Sequence, residues 1–425
     1  MTSSAAADGV GLPEGWLWST LGSIADYVNG RAFKEEDWES QGRPIIRIQN
    51  LTGSSKTLNR FSKPVDVKYL VEDGDVLLSW SATLGVFTYR GEEAILNQHI
   101  FNVRPTIHKR FVYHLLDFHV HHLERRTHGT GMKHITRERL LREPIMLPPD
   151  NEHCGIAKVL DTLDSTIAQT ARLIGKLKAI KSGLLHDLLT RGIGEDGRVR
   201  NPEEDPEEFT DSPIGSVPAE WKWKPLSELT TKIGSGATPL GGKEVYIDEG
   251  VSLIRSQNVY DFEFVEDGLA HITDESARQL DSVVVEADDL LLNITGVSIG
   301  RACIVPDRVL PARVNQHVCI VRTTESLDSF FLLSYLCYPA GKTYLLSFDA
   351  GGTRNALTKM SVEQLLVPVP SISEQLRIRS AISTIIGRIR SEEKYHTKLS
   401  LVKEGLMNDL LSGHARTKSL MEKGG

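Results

Sequence analysis

From Ile156 onward the apolar positions step alternately by four and three residues: Ile156, Leu160, Leu163, Ile167, Thr170, Ile174, Leu177, Lys181, Leu184 and Leu188. The same stepping returns at Ile378, Ile382, Ile385, Ile389, Glu392, His396, Leu399, Lys403, Leu406 and Leu410. A 3.5-residue period held over more than four heptads is the pattern of a coiled-coil seam. Each run follows a proline, Pro148 or Pro370, and each has a start and a stop. Asp150 or Asn151 opens the first, and Ser371 with Glu374, in capping-box spacing, opens the second. Gly192 and Gly413 mark the exits. Two long helices in one chain have each other as the nearest partner.

The helices belong to a larger repeat. Gly129 to Thr190 reappears as Gly351 to Ser412 at a constant displacement of 222 residues, with no insertion. Upstream the match continues with drifting spacing. Trp16, Trp18 and Leu21 return as Trp221, Trp223 and Leu226, and Arg47, Gln49 and Asn50 as Arg255, Gln257 and Asn258. Asp75 to Leu78 return as Asp289 to Leu292, and Asn97, Gln98 and His99 as Asn315, Gln316 and His317. A coiled coil loses register on insertion, whereas loops between short strands absorb it. Each unit is therefore an adaptable globular part followed by a helix of fixed length.

The globular parts predict an α+β fold rather than an alternating parallel sheet. Short β-rich runs (Pro44 to Ile48, Asp75 to Leu78, Val86 to Tyr89, Val283 to Val285, His317 to Val321) are bounded by Gly, Asp and Asn. Helical patches follow at Phe111 to His119 and Phe331 to Tyr338. The expected organisation is a disordered tail over 1–11, a globular part over 12–149, a spacer helix over 150–192, a linker over 193–216, a second globular part over 217–370, a C-terminal spacer helix over 371–414 and a tail over 415–425.

Charge sharpens this division. The net charge is −7, but residues 193–216 carry eight acidic residues against Arg198 and Arg200, which leaves the remainder near neutral. With Pro202, Pro206 and Pro213 this stretch is expected to be a solvated linker. His108 to Arg142 is basic by contrast, with Lys109, Arg110, Arg125, Arg126, Lys133, Arg137, Arg139 and Arg142 as a candidate basic face. Cys154, Cys303, Cys319 and Cys337 are scattered, which fits a reducing cytoplasm and argues against structural zinc or a disulfide framework. No apolar run reaches the ~18 residues that span a bilayer, and Met1 to Gly11 lacks the basic and apolar regions of a signal peptide.

A helix from Glu152 to Thr190 is about 58 Å long at ~1.5 Å per residue. Antiparallel packing carries each globular part, at its own helix N-terminus, to an opposite end of the rod. The pseudo-two-fold matches the local two-fold of duplex DNA, where two elements read separated half-sites. At ~3.4 Å per base pair the rod allows at most about 17 base pairs between contacts. Because the globular sequences differ, the half-sites should differ, giving a bipartite, asymmetric target.

These residues resemble the specificity subunit of type I restriction-modification enzymes. The resemblance runs from Leu12-Pro13-Glu14-Gly15-Trp16, echoed by Val217-Pro218-Ala219-Glu220-Trp221, to the helix ends Leu188-Leu189 and Leu410-Leu411. It implies two target-recognition domains separated by two long antiparallel coiled-coil helices. It also implies double-stranded DNA and two adenine methyltransferase subunits as partners, with a translocase and nuclease subunit added for restriction. The family has no catalytic residues or cofactor of its own, so S-adenosylmethionine, ATP and magnesium are expected on partner subunits.

The chain's own motifs agree. Gly341-Lys342-Thr343 and Gly236 to Lys243 miss phosphate-loop spacing, and Pro148-Pro149-Asp150 and Asn201-Pro202-Glu203 miss the Asp/Asn-Pro-Pro-aromatic stretch of an adenine methylase. His119, His121 and His122 lack a clear further metal ligand. Asn-Gln-His suits adenine chemically, but its recurrence in both copies favours a structural or backbone role. Thr130 with Lys133, and Thr353, Arg354 and Asn355, sit in Gly-rich stretches suited to phosphate. Candidate base readers are polar residues that differ between copies: Arg31, Lys34, Arg43, Lys56 and Arg60 in the first, and Lys232, Thr238, Lys243 and Arg301 in the second. Lys181 and Lys403 interrupt the seam at matching positions beside Gly183 and Gly405, and a repeated mid-helix Gly suggests close approach of another helix, here methyltransferase docking. The alternative function is a coiled-coil adaptor that binds protein without DNA specificity.

Overall fold

The computed structural model describes residues 12–81, 83–126, 136–239, 242–348 and 356–417. The chain divides into two compact units, one formed by residues 1–172 with 393–425 and one by 173–392. Both long helices form as their periodicity predicts, Asp150–Thr190 over 41 residues and Ile372–Leu411 over 40. Every seam position named above is buried or half-buried, while most positions between them are exposed. Gly192 and Gly413 take φ of 70° and 77°, the left-handed exits that glycine accommodates.

Within each unit the two helix segments run antiparallel. In the first, Glu152 pairs with Arg416 and Asp164 with Lys403, while Ile156 and Leu160 share a core with Met407, Leu410 and Leu411. In the second, Ile193 donates to Glu374 at 2.9 Å, and Leu185, Leu188 and Leu189 share a core with Ile378, Ile382 and Ile386.

The sheets repeat as well. The first unit has a four-stranded antiparallel sheet in the order Ala25–Asn29, Ile100–Pro105, Val76–Ser79, Gly85–Thr88. The second has its counterpart in Thr230–Ser235, Val318–Thr323, Leu290–Asn293, Ala302–Ile304. A second, mixed sheet accompanies each. The helix Lys109–Arg126 and its counterpart Ser329–Cys337 bury Phe111 and Phe331, both fully enclosed. In each unit the strand after the opening tryptophan pairs antiparallel with the strand just before the long helix, Leu17–Thr20 with Pro144–Leu147 and Lys222–Pro225 with Leu366–Val369.

The segment 193–216 is more ordered than its composition suggests. Ile193 bridges Val199, and Phe209–Ser212 pairs with Gly215–Pro218. Glu374 organises it: its buried carboxylate accepts from Ile193 N–H, Arg200 Nη1 at 2.7 Å and Trp221 Nε1 at 3.3 Å. The expected capping box is thus half made. Ser371 Oγ accepts from Glu374 N–H at 3.3 Å, while the Glu374 carboxylate is drawn to Arg200. The first unit repeats the device with Arg416 on Glu152, the residue 222 positions before Glu374.

Candidate nucleic-acid interface

The recurring motifs turn out to be stitching. Asn50 Oδ1 accepts from Arg47 N–H and Asn258 Oδ1 from Arg255 N–H, both at 3.0 Å. In the Asn-Gln-His triplets the main chain joins neighbouring segments. Asn97 N–H donates to Ile46 and Asn315 N–H to Ile254, both at 3.0 Å, while the carbonyls of His99 and His317 accept from Trp80 and Ile294. The strands that pass beside them must be glycine at Gly30 and Gly236, where a Cβ would collide with the carbonyls of Leu96 and Asn97 or of Val314. These main-chain bonds give the triplet a structural role.

On this shared frame the two copies present different side chains. In the first, Trp80 donates from Nε1 to Asn29 Oδ1 at 3.2 Å and meets the His99 ring at 5.6 Å, and Gln98 lies 3.3 Å from His99. Arg31 bridges to Asn97 through the main chain and lies over the rings of Phe61 at 4.4 Å and Phe33 at 5.0 Å. In the second, Thr238 donates to Gln316 Oε1 at 2.8 Å, and Thr295 Oγ1 lies 2.6 Å from His317 Nδ1. Val297 stands fully exposed at the tip of the adjoining loop, after Gly296 at φ 73°. Arg301 lies 4.6 Å over Tyr260. The Trp80 indole in the first copy and the Thr238 and Thr295 hydroxyls in the second, set beside the same Gln and His side chains, are suited to different base edges.

The structure separates the candidate residues. Arg31, Thr238 and Arg301 lie at or beside the two frames. Lys34 pairs with Glu36 at 3.3 Å, Arg43 with Glu93 and Arg60 with Glu92 at 3.0 Å, so these cations already have acidic partners. Lys56 is exposed on the rim of a cavity of about 640 Å³. Lys232 lies in the strand Thr230–Ser235, opposite Arg322. Lys243 falls in the turn Gly242–Val245, and its side chain is outside the described residues. Thr130, Lys133, Thr353, Arg354 and Asn355 are likewise outside them. Trp80, Thr295 and Val297 were not singled out by sequence reasoning; the signal was available, since they follow the matched Asp75–Leu78 and Asp289–Leu292 and differ between copies.

Among the described residues of the basic stretch His108 to Arg142, several cations already have acidic partners; the side chains of Arg125 and Arg126, and Lys133, lie outside the described residues. Arg110 binds Asp161, Lys109 lies 3.7 Å from Asp75, and Arg142 pairs with Glu138 at 2.8 Å. Burial opposes charge on Asp161, but the hydrogen bonds from Arg110 and His114 outweigh it and hold its carboxyl below the ordinary value. Burial pulls His114 below its ordinary value despite the 2.7 Å contact with Asp161. His114, Asp161 and Asp164 are close enough to surround a cation. Arg110 and Lys403, whose Nζ is 2.6 Å from Asp164, already supply the positive charge there. Of the histidine run, His121 lies 3.4 Å from Asp117 and His122 meets the Phe118 carbonyl at 3.0 Å.

Gly183 and Gly405 are exposed, with nothing within 4 Å of a built Cβ. Among the described residues nothing of this chain fills the space beside them. Beside them the same repeat positions are exposed and apolar or aromatic: Leu173 and Tyr395, then Ile180 (56% exposed) and Val402 (40%). Lys181 lies over Phe262 at 5.3 Å, and Lys403 is tied to Asp164 and Asp117.

A duplicated α+β domain with a shared frame, divergent side chains and a helical seam defines a two-headed recognition protein. The chain belongs to the type I restriction modification DNA specificity domain family, which matches it twice, over residues 13–179 and 218–401. It is similar to the type I restriction enzyme EcoBI specificity subunit of Escherichia coli, at 26% identity over 90% of this chain and 81% of that one. The MjaVIII specificity subunit of Methanocaldococcus jannaschii is 23% identical over 97% of this chain and 96% of its own. The fold is shared with the crystal structure of the type I restriction-modification S subunit from M. genitalium (TM-score 0.61, 15% identity, 95% of this chain and 98% of that one). Among the described residues no helix is long and apolar enough to cross a membrane.

Proposed function

We propose that this chain is the non-catalytic recognition subunit of a type I restriction-modification complex and reads a bipartite, asymmetric duplex target, one half with each domain. The observation that carries this reading is the double family match on one chain whose copies keep the same backbone stitching and differ in the side chains placed on it. A constant frame fixes the approach to DNA, and unlike edges read unlike half-sites. The recognition domains are taken as 12–149 and 217–370, with the helices and the acidic segment between them as spacer and linker.

Base reading is assigned to the frames around Arg31 and Trp80 and around Thr238, Gln316 and Arg301. Phosphate contact is assigned to Thr130, Lys133, Thr353, Arg354 and Asn355, with Lys56, Lys232 and Lys243 adding positive charge. Lys34, Arg43 and Arg60 reach phosphate only by exchanging their glutamates. Two adenine methyltransferase subunits dock on the helices, one over Ile180 and Gly183 and one over Val402 and Gly405, where matched apolar positions face solvent beside glycines that leave room for a partner. S-adenosylmethionine belongs to those subunits, and ATP and magnesium to the translocase and nuclease subunit. The adaptor alternative has no observation in its favour. Methylome sequencing of cells carrying this chain with its methyltransferase should return one split, asymmetric motif; a contiguous or palindromic motif, or none, overturns the reading.

A further inference from the structure

The two copies close one loop in the same way and fill it differently. Asn50 and Asn258 each donate from Nδ2 to the carbonyl seven residues on, Thr57 and Val265, both at 2.9 Å. Between them lie six residues in each case, Leu51-Thr-Gly-Ser-Ser-Lys56 in the first copy and Val259-Tyr-Asp-Phe-Glu-Phe264 in the second. With equal length, the copies differ in side-chain chemistry and in the turn it makes.

In the second copy the loop is a hairpin, with Val259 opposite Phe264 and Tyr260 opposite Glu263. Its turn places Phe262 at φ 63°, a left-handed conformation that suits Gly or Asn and disfavours a bulky aromatic. The surroundings hold it there. Phe262 N–H donates to the Ala302 carbonyl at 3.0 Å, and Asp261 accepts from Ala302 N–H at 3.3 Å and pairs with Lys342. From the helices, Arg390 donates to the Phe262 carbonyl and the Lys181 ammonium lies 5.3 Å from its ring centre. Phe330 packs at 6.1 Å. Strained residues persist where the environment over-determines them, and one held from two helices and a strand marks a place where position matters.

Among the described residues the first copy has no such device. Ser54 stands where Phe262 would, exposed and bonded locally to Thr52 and Gln49. Lys403, the counterpart of Lys181, turns to Asp164 and Asp117.

We infer that the Asp261–Phe262 turn is a positioning clasp that fixes the angle between the second recognition domain and the helix segments beside it, and thereby the half-site spacing the protein accepts. This rests on the split-target reading above. Phe262 touches no base; it acts through the orientation of the domain.

The test uses the full chain assembled with its methyltransferase and duplexes in which the half-sites are constant and their separation changes by single base pairs. Phe262→Gly removes the ring and suits the left-handed backbone, and a circular dichroism spectrum like that of the wild type is the check that the fold is kept. Because a misplacement of about 1 Å can cost roughly 10²-fold in rate, loosening the clasp should lower the preference for the favoured spacing over its neighbours by about tenfold, with the rate at the favoured spacing within about threefold. Phe262→Tyr should keep the preference. Arg390→Gln, which cuts only the helix hold on the carbonyl, should reduce it by about threefold. An unchanged preference in both Phe262→Gly and Arg390→Gln overturns the clasp. So does an equal loss of rate at every spacing. A wild-type complex without a split target or spacing preference overturns the underlying reading instead, and this shows before any variant is made.

Discussion

Replacing Glu374 by alanine removes an acceptor on which three donors from the stretch 193–221 converge. Its side chain is 3% exposed and that of Arg200 is 18% exposed, so the pair is far from the solvent-screened limit. Burial works to lower the pKa of Arg200, but the hydrogen bond to Glu374 more than offsets it and the net shift is upward. Removing one partner of a buried pair costs about 3–5 kcal/mol, because the other charge is left without compensation. Glu220, 63% exposed, still reaches Arg200 after Glu374→Ala, which places the expected loss near the lower end, ~3 kcal/mol. For a unit the size of Leu173–Glu392 each kcal/mol moves the melting midpoint by about 2–4 °C, so a fall of roughly 6–12 °C is expected. The exposed pair Arg43–Glu93, at 45% and 41%, is the control, and Arg43→Ala should stay within ~1 kcal/mol. Calorimetry and urea unfolding of both variants, with a double-mutant cycle on Arg200 and Glu374, measure these quantities. A Glu374→Ala loss no larger than that of Arg43→Ala, or a coupling energy near zero, refutes the argument.

Three further outcomes can be checked. Gly183→Leu with Gly405→Leu should leave the circular dichroism spectrum intact, since a better helix former is worth about 1 kcal/mol at each site, yet abolish co-purification of the methyltransferase; unchanged co-purification removes the docking assignment. Below neutral pH the first unit should lose stability, because the folded pKa of His114 is lowered, so its contribution is full above the unfolded value near ~6.5 and fades as pH falls. His114→Gln should flatten that part of the melting-point profile, leaving a remainder from His153, which burial also lowers; an unchanged profile contradicts the assignment. Gln316→Ala with Thr238→Ala should alter methylation at one half-site only, and exchanging residues 1–150 for those of a relative should alter only the other; a change in both halves, or in neither, counts against independent reading heads.

The helices were legible because a 3.5-residue seam leaves no alternative periodicity, and even its polar members, Thr170, Lys181, Glu392, His396 and Lys403, lie where the stepping puts them. Strands at Arg43–Ile46, Val76–Ser79, Gly85–Thr88 and Val318–Thr323 announced themselves by β-branched runs between turn residues. The pairing of Leu17–Thr20 with Pro144–Leu147 was not legible, since more than a hundred residues separate the partners and neither strand alternates clearly. The destination of charge was hidden for a similar reason. Lys403 showed in the sequence only as a charged interruption of the seam, because Asp117 comes from another element and only the folded chain brings it within 3.6 Å. Arg-x-Gln-Asn and Asn-Gln-His recur because the main chain needs them. Recurrence therefore pointed to the frame, and difference between the copies to what the frame displays.

The two strand pairs that close the globular parts have an evolutionary consequence. Leu17–Thr20 against Pro144–Leu147, and Lys222–Pro225 against Leu366–Val369, bring the incoming and outgoing chain of each head together at a single doorway next to the start of a long helix. Genetic exchange with both crossovers in these doorways replaces everything beyond them and leaves the seam untouched. A lineage can in this way acquire a new target by recombination without rebuilding the machinery that acts on it.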